Sequence, residues 1–254
     1  MTKALVTGSS DGIGKQTALE LARGGAHVIV HGRSEERAAA AARAVGAAEI
    51  WVCDFGSLEE VRAAASRLPP GIDVLINNAG VYLQRRQLTK DGYETTFQVN
   101  HLAPFLLTNL LLPSLGKGAR IVNVSSQVHS SGVLAWEDLM GEKNFSGYGA
   151  YAQSKLANLL FTRELARRQQ KATVNALHPG VIGTKLLRAG FGGMGGGSLE
   201  QGAATPVYLA TSKEVEGVTG KYFVQRREAR PAPQALDDEA ARRLWDVSAR
   251  LVRI

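Results

Sequence analysis

The pair Tyr151 and Lys155 is the part of the sequence best suited to acid–base chemistry. The two residues are four positions apart, so a helix places their side chains on one face. A tyrosine has an unperturbed pKa of about 10, and a cation one turn away stabilises the phenolate and lowers that pKa. Tyr148 has Ala152 at the same offset and lacks such a partner, which makes Tyr151 the candidate. A Tyr–Lys pair taken alone is more often a plain surface pair.

Asn100 could contribute through its main chain. It stands four residues before Pro104 inside a predicted helix. Proline has no N–H, so the carbonyl of residue 100 loses its helical partner and we expect the helix to kink there. A free carbonyl beside an active site can hold a water molecule. The alternative is a kink that serves packing only.

A glycine-rich turn lies between the first predicted strand and the first predicted helix, with glycines at positions 8, 12 and 14. Glycines at such a turn let backbone N–H groups approach a pyrophosphate at the helix N-terminus. The spacing is G-x-x-x-G-x-G, whereas the usual dinucleotide fingerprint is G-x-G-x-x-G. A glycine triplet alone is weak evidence, because glycine also ends strands. Its place at the first strand-to-helix turn favours dinucleotide binding.

The end of the second predicted strand indicates which dinucleotide would bind. An acidic residue there would accept a hydrogen bond from the ribose 2′-hydroxyl, whereas an arginine would accommodate a 2′-phosphate. The chain reads His31-Gly32-Arg33, with no acid and one base, which favours NADP over NAD. The alternative is that Arg33 only caps a loop. Asp54, after the third strand, is placed to meet the adenine amino group.

Apolar strands alternate with helical segments from the N-terminus to residue 177. This alternation indicates a parallel sheet covered on both faces. We therefore predict an α/β fold, a Rossmann-type doubly wound parallel sheet of about seven strands with helices on both faces. The segments 77–80, 125–126 and 151–155 each follow a predicted strand, and ligands bind at the carboxyl ends of strands in open α/β sheets.

No linker interrupts the alternation, so residues 1–254 are predicted to form a single dinucleotide-binding and catalytic domain. One long helix is expected over about residues 92–112. The glycine-rich segment 185–200 is expected to be a flexible substrate lid, although its composition also suits a bare linker. Residues 230–254 are expected to form an appended C-terminal helical tail.

Composition excludes several classes of protein. The 28 glycines follow no three-residue period, which excludes collagen, and a single cysteine excludes a disulfide scaffold. The net charge is +7, but the basic residues are spread among acidic ones, which argues against nucleic-acid binding. No metal site is expected, because the histidines form no H-x-x-x-H pair and Cys53 has no partner at ligand spacing. We expect no signal peptide, no membrane span and a cytoplasmic location.

Taken together and in order, the motifs resemble those of the short-chain dehydrogenase/reductase family of the single-domain type. The resemblance covers roughly residues 3–225 and rests on the segment 7–14, the run 77–80, Asn100, Ser126, Tyr151-x-x-x-Lys155 and Pro179-Gly180. Within the family, the long spacing between Ser126 and Tyr151 and the runs 154–165 and 178–181 are most similar to the retinol-dehydrogenase-like branch. Members of that branch often carry an N-terminal membrane anchor, which we do not expect here.

The resemblance implies a role for each matching residue. Tyr151 would exchange a proton with the substrate oxygen, Ser126 would hold that oxygen, Lys155 would bind the nicotinamide ribose, and the Asn100 carbonyl would hold a water of a proton relay. Ser125 is the less suitable serine, because the family's serine aligns with the second position. The residues expected to bind the cofactor are Gly8, Ser10, Asp11, Gly12, Ile13, Gly14, Arg33, Asp54, Phe55, Asn78, Ala79, Gly80, Tyr151, Lys155, Pro179, Gly180, Val181 and Thr184.

The expected reaction is the NADP(H)-dependent interconversion of a small apolar carbonyl compound and its alcohol. The apolar character is suggested by Leu134, Trp136, Leu186, Leu187, Phe191 and Met194, which could equally be core residues. Two alternatives remain, a non-catalytic nucleotide sensor or scaffold and an enzyme that reduces a carbon–carbon double bond. Family members often associate through the helix that bears Tyr151, so a homo-oligomer is also expected.

Overall fold

An eight-stranded sheet forms the centre of the computed structural model, which describes residues 1–46, 49–192 and 195–254. Its strand order is β3-β2-β1-β4-β5-β6-β7-β8. The strands are β1 (Lys3–Val6), β2 (His27–Gly32), β3 (Glu49–Val52), β4 (Val74–Asn77), β5 (Ala119–Val124), β6 (Ala172–His178), β7 (Tyr222–Val224) and β8 (Arg227–Ala229). All neighbours up to β7 are parallel, and β8 is antiparallel to β7. The predicted doubly wound sheet is confirmed.

Helices cover both faces of the sheet. They are α1 (Gly12–Arg23), α2 (Glu35–Val45), α3 (Leu58–Ala65), α4 (Thr95–Phe97), α5 (Ala103–Leu111), α6 (Gly147–Arg168), α7 (Lys185–Phe191), α8 (Leu199–Thr211) and α9 (Asp238–Val252). Successive side chains of a strand point to opposite faces. In β1, Leu5 belongs to one buried apolar cluster, while Ala4 and Val6 belong to the cluster on the other face.

The strand order reverses at β1. From β1 the chain adds β2 and β3 on one side, and β4 to β8 lie on the other side. The connections after β1 and β4 therefore leave in opposite directions and open a crevice at the carboxyl ends of the strands. Val6 at the end of β1 is paired with Ile76 near the end of β4, so the turns that follow both strands lie side by side.

The expected long helix over residues 92–112 is broken into three parts. The Glu94 carboxylate accepts hydrogen bonds from the N–H groups of Thr96 and Phe97 and so begins α4. A π-helical turn, Gln98–Leu102, follows, in which the N–H of Ala103 donates to the carbonyl of Gln98. Only then does α5 begin, with Pro104 in its first turn. The irregularity expected from Pro104 is therefore a wider π-helical turn that contains Asn100.

The eighth strand, β8, is one that the sequence did not indicate within the expected sheet of about seven strands. The two residues between β7 and β8, Gln225 and Arg226, have φ values of 49° and 64°. A two-residue hairpin turn with both φ angles positive is usually built from Asn-Gly or Asp-Gly. Because neither Gln nor Arg is typical of such a turn, the sequence carries no signal for this hairpin.

The C-terminal helix α9 is packed into the molecule. Its residues Ala241, Leu244, Ser248 and Val252 are buried and recur at helical spacing along one face. Three of them belong to the larger apolar cluster. Trp245 packs against Phe105 of α5 with ring centroids 4.9 Å apart, and Arg168 of α6 lies over the Trp245 ring. The chain itself therefore covers this part of α5 and α6.

Candidate active site

A cleft of about 650 Å³ opens at the carboxyl ends of the central strands. Most of the residues singled out in the sequence line it, including Ser126, Tyr151 and Lys155. The other predicted residues that line it are Gly8, Ser10, Asp11, Gly12, Ile13, Gly14, Arg33, Phe55, Asn78, Ala79, Gly80, Pro179, Gly180, Val181 and Thr184. Asn100 and Asp54 are not among the lining residues.

The turn after β1 is locked to the turn after β4. The Thr7 hydroxyl oxygen accepts hydrogen bonds from the N–H groups of Asn78 and Ala79, and the Asn78 amide donates to the Thr7 carbonyl. Gly14 passes so close to this junction that an added Cβ would lie 2.3 Å from Asn78 Nδ2 and 2.5 Å from the Gly8 carbonyl. Glycine is therefore required at 14 to bring the N-terminus of α1 against both turns.

The N-terminus of α1 faces the cleft and suits a negatively charged ligand. Asp11 caps the helix, and its carboxylate accepts from the Gly12 N–H at 2.8 Å. The first-turn N–H groups of a helix and its dipole favour a phosphate at this position. Asp11 also forms an exposed ion pair of 2.5 Å with Lys185, the first residue of α7, and the Lys185 hydrogen bond lowers the pKa of the Asp11 carboxyl.

His31 connects the phosphate loop to the second and third strands, a role that the sequence analysis missed. Its Nδ1 accepts a 2.8 Å hydrogen bond from the Gly8 N–H, and its Nε2 lies 3.0 Å from the Cys53 carbonyl. The ring stacks on Phe55 with centroids 4.7 Å apart. Burial lowers the pKa of His31 to about 4, so the ring is neutral and can accept from Gly8.

Two arginines line the cleft beyond the end of β2. Arg33 was expected there, and Arg37 joins it from the first turn of α2. Both are exposed, and the end of β2 carries no acidic residue. Helical spacing does not relate Arg37 to Arg33, because Arg33 precedes the Ser34 cap of α2. Asp54 instead binds its own turn, where its Oδ1 accepts from the Gly56 N–H at 2.9 Å.

Ser126, Tyr151 and Lys155 meet at the inner end of the cleft. Ser126 follows β5, while Tyr151 and Lys155 lie one turn apart on α6. The Tyr151 hydroxyl is hydrogen-bonded to the Ser126 side chain. The Lys155 ammonium lies 5.5 Å from the centre of the Tyr151 ring and donates to the Val124 carbonyl at 2.9 Å. Ser125 points elsewhere, because its hydroxyl donates to the Lys155 carbonyl.

The pKa of Tyr151 differs from the expectation. We expected Lys155 to lower it, but burial dominates and raises the pKa of Tyr151 to about 12, while the hydrogen bond to Ser126 acts in the opposite direction. Burial also lowers the pKa of Lys155 to about 8. Removing both groups from water disfavours their charged forms, which explains both directions. Tyr151 is therefore a neutral phenol at pH 7 and can donate a proton.

Asn100 is fully buried and uses its side chain to hold its surroundings in place. Its Oδ1 accepts from the Val81 N–H at 2.8 Å, and its Nδ2 donates to the Val81 carbonyl and to Ser154 Oγ, both at 3.0 Å. Asn100 thus ties the segment after Gly80 to α6. Pro104 has no N–H to offer the Asn100 carbonyl.

The segment 185–200 contains a helix. Thr184 caps α7 through its hydroxyl and lines the cleft. The chain returns beside its starting point, because Gly183 and Gly197 are joined by a backbone hydrogen bond of 3.1 Å. Gly190 on α7 lies against Tyr82, and the Tyr82 ring is 5.5 Å from that of Tyr151. Gly193, Met194 and the side chain of Phe191 lie outside the described residues.

The apolar residues named in the sequence divide between the cleft and the core. Leu186 and Leu187 of α7 line the cleft. Leu134 is buried in the larger apolar cluster and Trp136 packs against that cluster, so for these two the alternative of a core position applies. The apolar character of a side chain does not by itself show whether it lies in the core or lines the cleft.

Comparisons with known proteins agree with this geometry. A family model described as short chain dehydrogenase matches residues 2–191. Retinol dehydrogenase 13 from Homo sapiens is 44% identical, and the alignment covers 98% of this chain and 83% of that protein. A crystal structure of an uncharacterized protein from Mycobacterium Paratuberculosis has a TM-score of 0.87 at 36% identity, covering 100% of this chain and 94% of the other. A short chain dehydrogenase from Burkholderia cenocepacia in complex with NADP has a TM-score of 0.71 at 29% identity, covering 87% and 95%.

No helix in the part of the chain that the structure describes combines the length and the apolar character that crossing a bilayer requires.

Proposed function

The chain belongs to the short chain dehydrogenase family and is an oxidoreductase acting on CH–OH groups, and we propose that it interconverts an apolar carbonyl compound and its alcohol with NADP(H), using Tyr151 as general acid and base. One observation carries this proposal. A single cleft joins the phosphate-loop cradle at one end to Ser126, Tyr151 and Lys155 at the other. A dinucleotide held by this cradle would supply its hydride chemistry in the same cleft as the proton donor Tyr151.

The residues around the cradle fit a dinucleotide. Glycine is required at position 14, where any Cβ would fill the space beside Asn78, and the N-terminus of α1 supplies N–H groups for a pyrophosphate. Gly8, Ser10, Asp11, Gly12, Ile13 and Gly14 would hold the phosphates, and Phe55, Asn78, Ala79 and Gly80 would border the adenosine and ribose. Pro179, Gly180, Val181 and Thr184 would border the nicotinamide, whose chemistry is to exchange a hydride with the substrate carbon.

The proton side of the reaction belongs to residues of this chain. In carbonyl reduction Tyr151 donates its hydroxyl proton to the substrate oxygen, and the Ser126 hydroxyl donates a hydrogen bond to the same oxygen. The hydrogen bond between Tyr151 and Ser126 supports this assignment, because it places the two hydroxyl groups within reach of one substrate oxygen. Lys155, one turn away, supplies a buried donor for the nicotinamide ribose. In alcohol oxidation the proton moves in the reverse direction.

Asn100 would act through its main chain. Because Pro104 cannot donate to it, the Asn100 carbonyl is suited to hold a water that passes the proton onwards from Lys155. The side-chain bonds of Asn100 to Val81 and Ser154 fix where that carbonyl lies.

The preference for NADP over NAD rests on charge. Arg33 and Arg37 border the cleft where the adenosine ribose would lie, and guanidinium groups bind phosphate in a bidentate manner. The NADP complex of the Burkholderia relative supports the assignment by similarity. Asp54, held in its own turn, would approach the adenine only from the edge of the site.

The substrate side is apolar. The cleft that Tyr151 lines is also bordered by the apolar residues Val81, Val128, Leu186, Leu187 and Leu199. We propose that residues 185–200 act as the lid of this region, with α7 packed on Tyr82 when the lid is closed. The retinol dehydrogenase relative also points to an apolar alcohol. A homo-oligomer formed through α6 would use the exposed ends of this helix, around Tyr148 and Arg168, because residues 151–162 are all buried.

Turnover of NADPH against a panel of aliphatic, aromatic, steroid and retinoid carbonyl compounds tests the proposal. Oxidation of NADPH with formation of the corresponding alcohol is the expected result. A saturated product that retains its carbonyl group would instead indicate reduction of a carbon–carbon double bond. Tight NADPH binding without turnover of any compound would favour a non-catalytic nucleotide sensor.

A further inference from the structure

The C-terminal segment, residues 230–254, reaches the candidate active site through the buried ring of His129. His129 lies in the short 3-10 turn Gln127–Ser131 that directly follows Ser126. Its Nδ1 is 2.7 Å from the Ser126 carbonyl oxygen, and its Nε2 accepts a 3.1 Å hydrogen bond from the backbone N–H of Ala232. The side chain is only 4% exposed, so water cannot replace these partners easily.

The two partners determine where the ring carries its proton. Ala232 offers an N–H, which requires a lone pair on Nε2, so the single proton of a neutral imidazole resides on Nδ1. Nδ1 then donates to the Ser126 carbonyl. Burial lowers the pKa of His129 and favours this neutral form. The ring is therefore a bridge of fixed polarity between the C-terminal segment and Ser126.

A second buried histidine links the same segment to Asn100. His101 follows Asn100 in the π-helical turn, and its Nε2 is 2.8 Å from the hydroxyl oxygen of Ser248 on α9. His101 is 1% exposed and Ser248 is fully buried. A polar contact so far from water holds its geometry, since neither group has solvent as an alternative partner.

The segment that makes these contacts is itself firmly held. The Gln234 amide donates to the Ser130 carbonyl at 2.8 Å. Leu244 and Val252 are buried in the larger apolar cluster, and Trp245 packs on Phe105. The core therefore holds residues 230–254 in place, and these residues in turn fix the positions of the side chains that they contact.

We propose that residues 230–254 are a positioning element of the active site, which fixes Ser126 through His129 and the Asn100 turn through His101. The inference rests on the proposed function in one respect, that Ser126 and Asn100 take part in turnover. His129, His101, Ala232 and Ser248 touch no reacting atom in this account. They act by placing the groups that do.

Replacing Ala232 by proline tests the first connection. Ala232 has a φ of −60°, which proline adopts without strain, so Ala232→Pro suits the local backbone while it removes the N–H donor and places the ring carbon Cδ against His129 Nε2, which breaks the contact. We expect kcat to fall about 5- to 10-fold, as for the loss of one hydrogen bond that holds a reacting group, with the Kd of NADPH unchanged. Ser248→Ala should lower kcat by a similar factor through the Asn100 turn.

A matched variant separates positioning from simple loss of stability. Arg242 is an exposed residue in the middle of α9, and Arg242→Gly should destabilise the helix without touching either histidine contact. At a temperature where all variants are folded, Arg242→Gly should keep the parental kcat. If Arg242→Gly lowers kcat as much as Ala232→Pro, or if neither Ala232→Pro nor Ser248→Ala lowers it, the positioning role is wrong.

The nitrogen chemical shifts of the His129 ring provide a readout that does not depend on turnover. In the unmodified protein they should report a single Nδ1–H tautomer, and in Ala232→Pro this preference should weaken. An Nε2–H tautomer in the unmodified protein would overturn the bridge. If the tautomer is as expected but no carbonyl substrate is turned over, the proposed function fails, while the bridge itself is supported.

Discussion

The backbone N–H of Gly8 donates a 2.8 Å hydrogen bond to Nδ1 of His31, and this contact joins the phosphate loop to the end of the neighbouring strand. On its other side the ring meets the Cys53 carbonyl at the end of β3. One neutral histidine therefore sets the relative position of three strand ends that would surround the adenosine part of a dinucleotide.

Replacing His31 should weaken the binding of NADPH by the phosphate loop. We expect His31→Ala to raise the Kd of NADPH about tenfold, because Gly8 loses its buried acceptor. His31→Asn places an amide oxygen near the position of Nδ1 and should retain most of the affinity. Titration of NADPH into both variants by calorimetry checks the order. Equal losses in the two variants would contradict a hydrogen-bonding role for His31.

The lowered pKa of His31 should also make the stability of the fold depend on pH. The pKa of His31 is about 4 in the folded protein, below its unfolded value of about 6.5, so between these values the unfolded chain binds more protons. Stability should therefore fall as the pH falls from 6.5 to 4. In His31→Asn the slope should be smaller by up to about 1.4 kcal/mol per pH unit. Urea unfolding at several pH values measures it, and an unchanged slope would exclude His31 as a source.

Cofactor preference should depend on the two arginines after β2. Arg33→Ala and Arg37→Ala are each expected to raise the KM for NADPH about 10-fold or more, while the KM for NADH changes little, because a charge-assisted contact to the 2′-phosphate is lost. Arg43→Ala serves as control, since Arg43 is exposed in the last turn of the same helix and does not line the cleft. An equal effect on both cofactors would refute the NADP assignment.

The contact of Gly14 with the two turns predicts a strict requirement for glycine. Gly14→Ala would put a methyl group 2.3 Å from Asn78 Nδ2, so the loop must shift, and we expect NADPH binding to fall at least 100-fold. Gly24→Ala, at the other end of α1, adds a Cβ no closer than 3.4 Å to any atom and should bind normally. Fluorescence titration of NADPH compares the two. Normal binding by Gly14→Ala would show that the cradle adapts.

The sheet and the positions of the chemical motifs could be predicted from the sequence because they depend on local patterns. Apolar runs separated by helices indicate parallel strands, and motifs after strand ends must meet at one edge of the sheet. Features that depend on contacts between distant residues could not be predicted. The neutral state of His31 depends on burial by Trp51 and Phe55, and the Gln225-Arg226 turn has positive φ angles that neither residue type favours.

The sequence also predicted a lowered pKa for Tyr151, whereas the pKa is raised by burial, which depends on contacts between distant residues. The spacing of Tyr151 and Lys155 predicted a cation beside the phenol, and the structure has one, at 5.5 Å from the ring centre. Spacing carries no information about desolvation, which dominates when both groups are buried and raises the pKa of Tyr151 to about 12. The C-terminal helix was likewise predicted as a helix, but its contacts with Phe105 and His101 arise only in the folded chain.

The most direct test of the account is the kcat of Tyr151→Phe for carbonyl reduction, measured beside Tyr148→Phe. Tyr148 lies on the same helix, is 43% exposed and bonds to Ser131, so its hydroxyl should be dispensable. We predict that Tyr151→Phe lowers kcat by about 10²- to 10⁴-fold, as for loss of a general acid, with NADPH binding unchanged within a few-fold and Tyr148→Phe fully active. A Tyr151→Phe variant with normal kcat would contradict the central claim.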